Sequence, residues 1–283
     1  MSNSDNKSTS RRHIWSDLKP RLMSALVLLP VTALALFLGG IWLAVLVGAV
    51  FAGAFREWVI MVDGAKPDYL NIFLIGLVGL SAVAFPLFGP VGSLAIGGAA
   101  TLVSFVIPRP SKVWRAAGLA YFCLVIIAVL SVRGTAGMGI VAGVFLATSV
   151  WMTDSAAFFT GRQVGGAKLS PDISPSKTWS GALGGLAMGT IGGTLVWAVA
   201  TPSPWWVGAV LAALLSVSGQ IGDLLESAIK RRFRVKDSGD LIPGHGGLMD
   251  RLDSLTLAVL VMFVVGFLHG GDAGMIASAF LVW

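Results

Sequence analysis

The chain has 283 residues, of which 55% are hydrophobic and 12% are charged. Soluble domains hold roughly 25% charged residues, so a water-soluble fold is excluded, and several apolar runs reach the roughly 20 residues that cross a bilayer. The net charge of +6 reads as membrane topology and not as nucleic-acid affinity, and a single cysteine, Cys123, excludes both an intrachain disulfide and a cysteine metal site.

Residues 1–20 are polar and basic, with Lys7, Arg11, Arg12 and Lys19, and are expected at the cytoplasmic face. A secretory signal is the competing reading, but no clean small-x-small cleavage site follows. The apolar runs predict an all-α polytopic bundle of about nine spans, near 22–38, 41–60, 69–87, 90–107, 114–132, 136–160, 179–200, 204–229 and 251–269. Gly39-Gly40 and Phe88-Gly89-Pro90 mark tight turns between pairs. The domain organisation is a polar segment 1–20, one membrane domain 21–270 and an apolar tail 271–283, too short to span and expected at the far surface. A cytoplasmic N-terminus puts all of the 20 Lys and Arg except Arg133 on the inner side. The polar loops 161–178 and 230–250 then share one face. No internal repeat is visible, which weakens an inverted-repeat transporter.

Chemistry concentrates in those two loops. On a helix, Asp223, Ser227 and Lys230 fall at i, i+4 and i+7 on one face, with Glu226 beside it. A carboxylate, a hydroxyl and an ammonium in one stripe suit Mg²⁺ and phosphate together; an intrahelical ion pair with a snorkelling Lys230 is the competing reading. Pro243-Gly244-His245-Gly246-Gly247 is a turn whose successive N–H groups can cradle an anion, or an ordinary interhelical loop. Asp250 and Asp253 follow at i, i+3; helix-dipole capping explains one, while two facing Asp223 look like a metal site. His245 reads as phosphate donor, metal ligand or loop residue, the first being favoured by the hard oxygen groups around it. In the other loop Arg162, Lys168 and Lys177 stand among glycines and hydroxyls, and Ser174–Thr178 leads into a helix N-terminus suited to phosphate. The spacing is not that of a Walker A loop. Asp154, near the end of a span, needs a partner.

Ser227, Lys230, Arg231, Lys236, Asp237, Pro243, His245, Gly246, Gly247, Asp250, Arg251 and Asp253 resemble the signature of the phosphatidate cytidylyltransferases, or CDP-diacylglycerol synthases. Asp154, Gly161-Arg162, Leu169, Pro171, Ile173-Ser174-Pro175 and Lys177-Thr178-Trp179 are similar to that family's second conserved loop. Phe158 and Ser180 depart from it, standing where Tyr and Glu are frequent. The resemblance implies that CTP and phosphatidate react to give CDP-diacylglycerol and pyrophosphate. It implies Asp223, Lys230, Asp250 and Asp253 as catalytic residues, and Asp223, Asp250 and Asp253 as ligands of one or two Mg²⁺ ions, for which Mn²⁺ can substitute. It implies substrate contacts from Arg162, Ser176, Lys177, Ser227, Arg231, Lys236, His245, Gly246, Gly247 and Arg251. A homodimer and a bacterial cytoplasmic membrane, with the site on the inner side, belong to the same expectation. A CTP-dependent polyprenol kinase and an ion-coupled transporter are the rival classes.

Overall fold

A computed structural model describes residues 30–134, 137–239, 241, 246–270, 272 and 274–283. Helical residues 30–38 (α1) lead through Gly39 into α2 (Gly40–Asp63), α3 (Tyr69–Val106), α4 (Lys112–Arg133) and α5 (Met138–Gln163). Strands β1 (Lys168–Ser170) and β2 (Ser174–Thr178) follow, then α6 (Trp179–Ala200), α7 (Trp205–Arg232), a 3-10 turn (Met249–Arg251), α8 (Asp253–Gly270) and α9 (Ile276–Leu281). The fold is nearly all-α, and α2 to α8 are seven described helices long and apolar enough to cross a membrane.

One of the seven folds back on itself. Gly89 interrupts α3 with φ 69° and ψ −169°, a conformation open to glycine. Pro90 removes the N–H that would carry the first arm onward. Asn71 in the first arm and Ser104 in the second would stand about 50 Å apart on a straight helix. Instead both join one polar cluster at the end of α2. The Asn71 amide donates to Asp63 at 3.0 Å, and the buried Arg115 donates to Ser104 Oγ at 3.0 Å while standing 3.7 Å from Asp63. Ser81 and Gly97, one from each arm, both lie against Cys123, a free and buried thiol. The expected spans 69–87 and 90–107 are thus the two arms, whereas of the expected span 22–38 residues 22–29 lie outside the described residues and 30–38 form α1.

Two local features add to the expectation. The loop 161–178 holds an antiparallel β-hairpin with Lys168 opposite Thr178 and Ser170 opposite Ser174. Ser170 and Ser174 each precede a proline, which pushes them to extended backbone, and Pro171 suits the turn between the strands. The tail packs into the bundle and does not merely lie on it: Ile276, Ala277, Phe280 and Leu281 are buried, with Phe280 5.8 Å from the Phe145 ring and Ser203 donating to the Leu281 carbonyl at 3.0 Å. Burying four apolar side chains of α9 against the bundle outweighs leaving them at an interface.

Small residues set the closest helix pair. Gly181, Gly185, Gly189 and Gly193 form a stripe at four-residue spacing on α6. A Cβ added at them would meet the Ala157 carbonyl at 2.8 Å, the Thr153 carbonyl at 2.8 Å, the Ser149 carbonyl at 2.7 Å and Ser149 Oγ at 2.3 Å. Membrane helices lacking a hydrophobic drive to associate gain from such backbone approach. The stripe seats α5 against α6 and so brings Asp154 and Arg162 over the β-hairpin.

Polar connections gather at one end of the bundle. Trp58 Nε1 donates to the Trp114 carbonyl at 3.0 Å, Trp114 packs edge-on against Phe233 at 5.3 Å, and Arg231 donates to the Ile173 carbonyl at 3.3 Å. These ties join the ends of α2 and α7, the start of α4 and the β-hairpin. At the opposite end Arg133 closes α1 by donating to the Leu36 carbonyl at 2.7 Å and the Phe37 carbonyl at 3.2 Å.

Candidate active site

At the polar end, α5, the β-hairpin, α6 and α7 enclose a cavity of about 560 Å³. Arg162, Lys168 and Lys177 supply cations to its wall, Asp154 and Asp223 supply carboxylates, and Ser176, Thr178 and Gln220 supply neutral polar groups. Thr178 caps α6 by accepting from the Gly181 N–H at 3.1 Å, which fixes the end of β2 and hence the direction of Lys177. The Lys177 ammonium meets Asp223 at 2.5 Å, with both side chains part-exposed to the cavity. Ser227, one turn beyond, donates to the other Asp223 oxygen at 3.4 Å. Of the expected face of Asp223, Ser227 and Lys230, the first two are in contact, and Lys177 joins them from the other loop.

Lys230 faces elsewhere. Its ammonium donates to Glu226 at 3.1 Å and to Asp250 at 2.6 Å, and the residue is 9% exposed. The ion-pair reading of Lys230 describes this geometry. Asp250 spends its other oxygen on Ser238, accepting from the N–H at 3.0 Å and from Oγ at 3.0 Å. Burial pushes the Asp250 carboxyl up, but the Lys230 ammonium and the Ser238 N–H outweigh it and hold the group below the usual carboxylate range. Asp253 opens α8, its Oδ1 accepting from the Ser254 N–H at 2.7 Å, and it stands within Coulombic reach of Asp223 and Asp154. The α7–α8 contact that allows this is tight, since a Cβ at Gly222 would lie 2.5 Å from the Asp253 carbonyl.

The expected metal set of Asp223, Asp250 and Asp253 does not converge. Among the described residues no group of three or more His, Cys, Asp or Glu side chains is close enough to hold a metal ion. Asp250 is instead engaged by Lys230 and Ser238. Asp154 accepts from Ser254 Oγ at 2.9 Å and lines the cavity together with Asp223.

Of the remaining expected residues, Arg162 and Ser176 line the cavity. Arg231 lashes the end of α7 to Ile173 and, at 3.1 Å, to the Val235 carbonyl. Lys236 and Arg251 are exposed beside the same loop. Gly246 takes φ 81°, and Gly247 packs so closely that a Cβ would meet Ser238 Oγ at 1.9 Å and Asp250 Oδ2 at 2.7 Å. His245 lies outside the described residues. Of the two departures from the family pattern, Phe158 lines the cavity, and Ser180 donates to the Gly165 carbonyl at 2.5 Å.

Glu57 is the residue that sequence reasoning missed. It is 1% exposed on α2 and accepts from the Leu248 N–H at 2.9 Å, the Met249 N–H at 2.9 Å and Ser238 Oγ at 3.1 Å. It thereby clamps the segment that carries Asp250. An acid inside an apolar run was its one visible signal.

Fold and site define a class: a polytopic helical membrane protein whose polar end holds a cation-rich, carboxylate-bearing cavity suited to a phosphate-rich ligand. The profile of the Cytidylyltransferase family matches residues 19–269. Phosphatidate cytidylyltransferase of Brucella suis biovar 1 is 39% identical over 256 residues, covering 89% of this chain and 94% of its own length. Its namesake in Pseudomonas aeruginosa is 34% identical over 275 residues, covering 90% and 99%, and that of Bacillus subtilis is 46% identical over 121 residues, covering 42% and 43%. The chain belongs to the cytidylyltransferase family.

Proposed function

We propose that the protein transfers the cytidylyl group of CTP to phosphatidate, giving CDP-diacylglycerol and pyrophosphate. The observation that carries this reading is the cavity in which Arg162, Lys168 and Lys177 face Asp154 and Asp223 at the polar end of a lipid-embedded bundle. A triphosphate brings several negative charges, and three cations in one pocket match them.

A non-bridging oxygen of the phosphatidate phosphate attacks the α-phosphorus of CTP. A new P–O bond forms as the bond from that phosphorus to the α,β-bridging oxygen breaks, and pyrophosphate leaves. The step needs positioning and charge neutralisation more than covalent help. Lys177 gives up part of its hold on Asp223 to an incoming phosphate, while Arg162 and Lys168 neutralise the rest of the chain. Ser176 and Thr178 offer hydroxyls from the same strand. Phe158 presents an apolar ring at the cavity wall. Gly246 and Gly247, with Arg231, Lys236 and Arg251, edge the site from the 230–251 side, and His245 is assigned to the substrate phosphates on the resemblance alone. The Lys230–Asp250 pair keeps that edge in place against α7.

The donor chemistry fits Mg²⁺, which is usually held by one or two carboxylates together with substrate phosphates. Asp223 and Asp154, with Asp253 in Coulombic reach, would hold it, and Asp250 would act beside this group through Lys230. When bound, the ion neutralises charge developing on the phosphate oxygens; Mn²⁺ offers the same chemistry.

The finer topology follows the same reading: about nine spans, a cytoplasmic N-terminus, and a site on the cytoplasmic side of a bacterial inner membrane. A homodimer, which the resemblance implies, would leave this chemistry within one chain, since every residue named for it comes from one protomer.

The test is product analysis on the purified protein in detergent–phosphatidate micelles with Mg²⁺ and α-labelled CTP. Label entering lipid with matching pyrophosphate release is expected, and EDTA should stop it. Soluble labelled CDP would mean a kinase-type γ-transfer, and no turnover by folded protein would favour a transporter. Asp223→Asn and Asp250→Asn should each abolish turnover; near-normal rates would remove that residue from the scheme.

A further inference from the structure

A second cavity, of about 520 Å³, opens where α2 meets the start of α3, lined by Arg56, Lys66, Pro67, Ile72 and Ile75. We propose that it binds the phosphate headgroup of an anionic glycerophospholipid drawn from the leaflet at the active-site end.

The local charge balance points there. The acids of the α2–α3 connection are committed to other partners. Asp63 stands 3.7 Å from Arg115 and accepts from Asn71 and Ser111. Asp68 pairs with Arg109 at 2.6 Å and accepts from the Asn71 N–H at 3.0 Å. Arg56 and Lys66 are both exposed, and among the described residues neither has a hydrogen bond or ion pair. Two cations without a partner among the described residues therefore share one concavity.

The apolar side of the same cavity gives the ligand its class. Ile72 is 58% exposed, and Phe73 beside it is 57% exposed. Ile72 and Ile75 fall at i, i+3 on one face of a helix that reads as membrane-spanning. A free phosphate would use only the cations. A phospholipid uses both ends, its phosphate between Arg56 and Lys66 and its first acyl carbons along the isoleucines, while the cationic stems snorkel.

Charge also argues against this chain's own residues 1–29 as the occupant. That segment carries Lys7, Arg11, Arg12, Lys19 and Arg21 against Asp5 and Asp17. Arg56 adjoins Glu57, the clamp on the Asp250 segment, so a lipid held here sits on the active-site side. The proposal rests on the membrane-embedded reading and not on cytidylyl transfer.

The test is native mass spectrometry of the full chain in detergent, with dioleoyl phosphatidylglycerol or phosphatidylcholine added. Wild type should retain phosphatidylglycerol in preference. Arg56→Ala with Lys66→Ala should retain it about 30-fold more weakly, two cations each contributing about 1 kcal/mol at a membrane surface. Its thermal melt and its cytidylyl transfer should stay as in wild type. Equal retention of the two lipids by wild type would overturn the proposal, as would unchanged retention by the double variant. Displacement of the lipid by millimolar inorganic phosphate would overturn the lipid assignment. Lys177→Ala should leave the retention intact; if it removes the lipid as fully as the double variant does, the lipid sits in the active-site cavity and the proposal fails.

Discussion

Glu57 and Asp250 are two carboxylates with one hydroxyl, Ser238 Oγ, between them, at 3.1 Å and 3.0 Å. Glu57 also receives two backbone N–H groups, one on each oxygen, so both oxygens are engaged as acceptors. Glu57→Gln replaces one acceptor with an NH₂ that points donors at donors. Orphaning a buried donor costs about 1–3 kcal/mol, and displacing the Asp250 segment slows positional chemistry by about 10- to 100-fold. We expect the variant to fold with a lower melting temperature and a lower kcat; unchanged kinetics would show that the clamp is structural alone. Asp250 adds a pH signature. Its folded-state pKa is depressed, so its stabilisation is present above the unfolded value of about 3.9 and is lost as pH falls through the folded value. Thermal melts between neutral and acidic pH should decline in wild type below that value, and Asp250→Asn should flatten this part of the profile. An identical acid decline in both would assign the loss to other groups.

At the scale of elements, the helix pair α5–α6 depends on absent side chains. A Cβ on Gly189 would come within 2.0 Å of Thr153 Oγ1, and the nearby Thr153–Ser216 hydroxyl bond is only 2.7 Å long. Gly189→Leu must push α5 away, and overpacking of this kind costs about 1–3 kcal/mol. Because α5 carries Asp154 and Arg162, the variant should lose both melting temperature and activity, whereas a leucine at the open Gly143 should lose neither. The spans were readable from sequence because lipid demands long apolar runs of every helix that crosses it. The break in α3 was readable too, since Phe88-Gly89-Pro90 carries both a permissive and a prohibitive residue. The β-hairpin was not, its strands being three and five residues long and mostly polar. Neither was the burial of α9, which depends on Phe145 and Ser203 far along the chain. Within the site, the Asp223–Ser227 pairing followed from helical periodicity. The Glu57 clamp spans 191 and 192 residues of sequence separation, and no local pattern reports such a contact. The engagement of Asp250 by Ser238 likewise runs partly through a backbone N–H, which is invisible to side-chain pattern.

The whole molecule is polar at both ends but not equally. Described cations cluster at the active-site end, from Arg109 and Arg115 to Arg162, Lys177 and Arg231, whereas Arg133 sits at the other with its guanidinium on the α1 carbonyls. Aromatic side chains mark both levels: Tyr69 and Trp179 are exposed at the first end, and Trp42, Trp205 and Trp206 at the second, as expected of interfacial belts. Cations near span ends favour the cytoplasmic side, so the asymmetry predicts orientation. The single cysteine makes this measurable, because Cys123 is buried at 4% exposure. In a Cys123→Ser background, a cysteine at Asp172 in the hairpin turn should react with a membrane-impermeant maleimide only in inside-out vesicles. One at Asp272, between α8 and α9, should react only in right-side-out spheroplasts. The reverse pattern would place the site outside the cell, where CTP is scarce, and would separate the charge asymmetry from topology. Labelling of both positions in one preparation would mean that the two connections share a side, which a bundle whose ends are joined as these are does not allow.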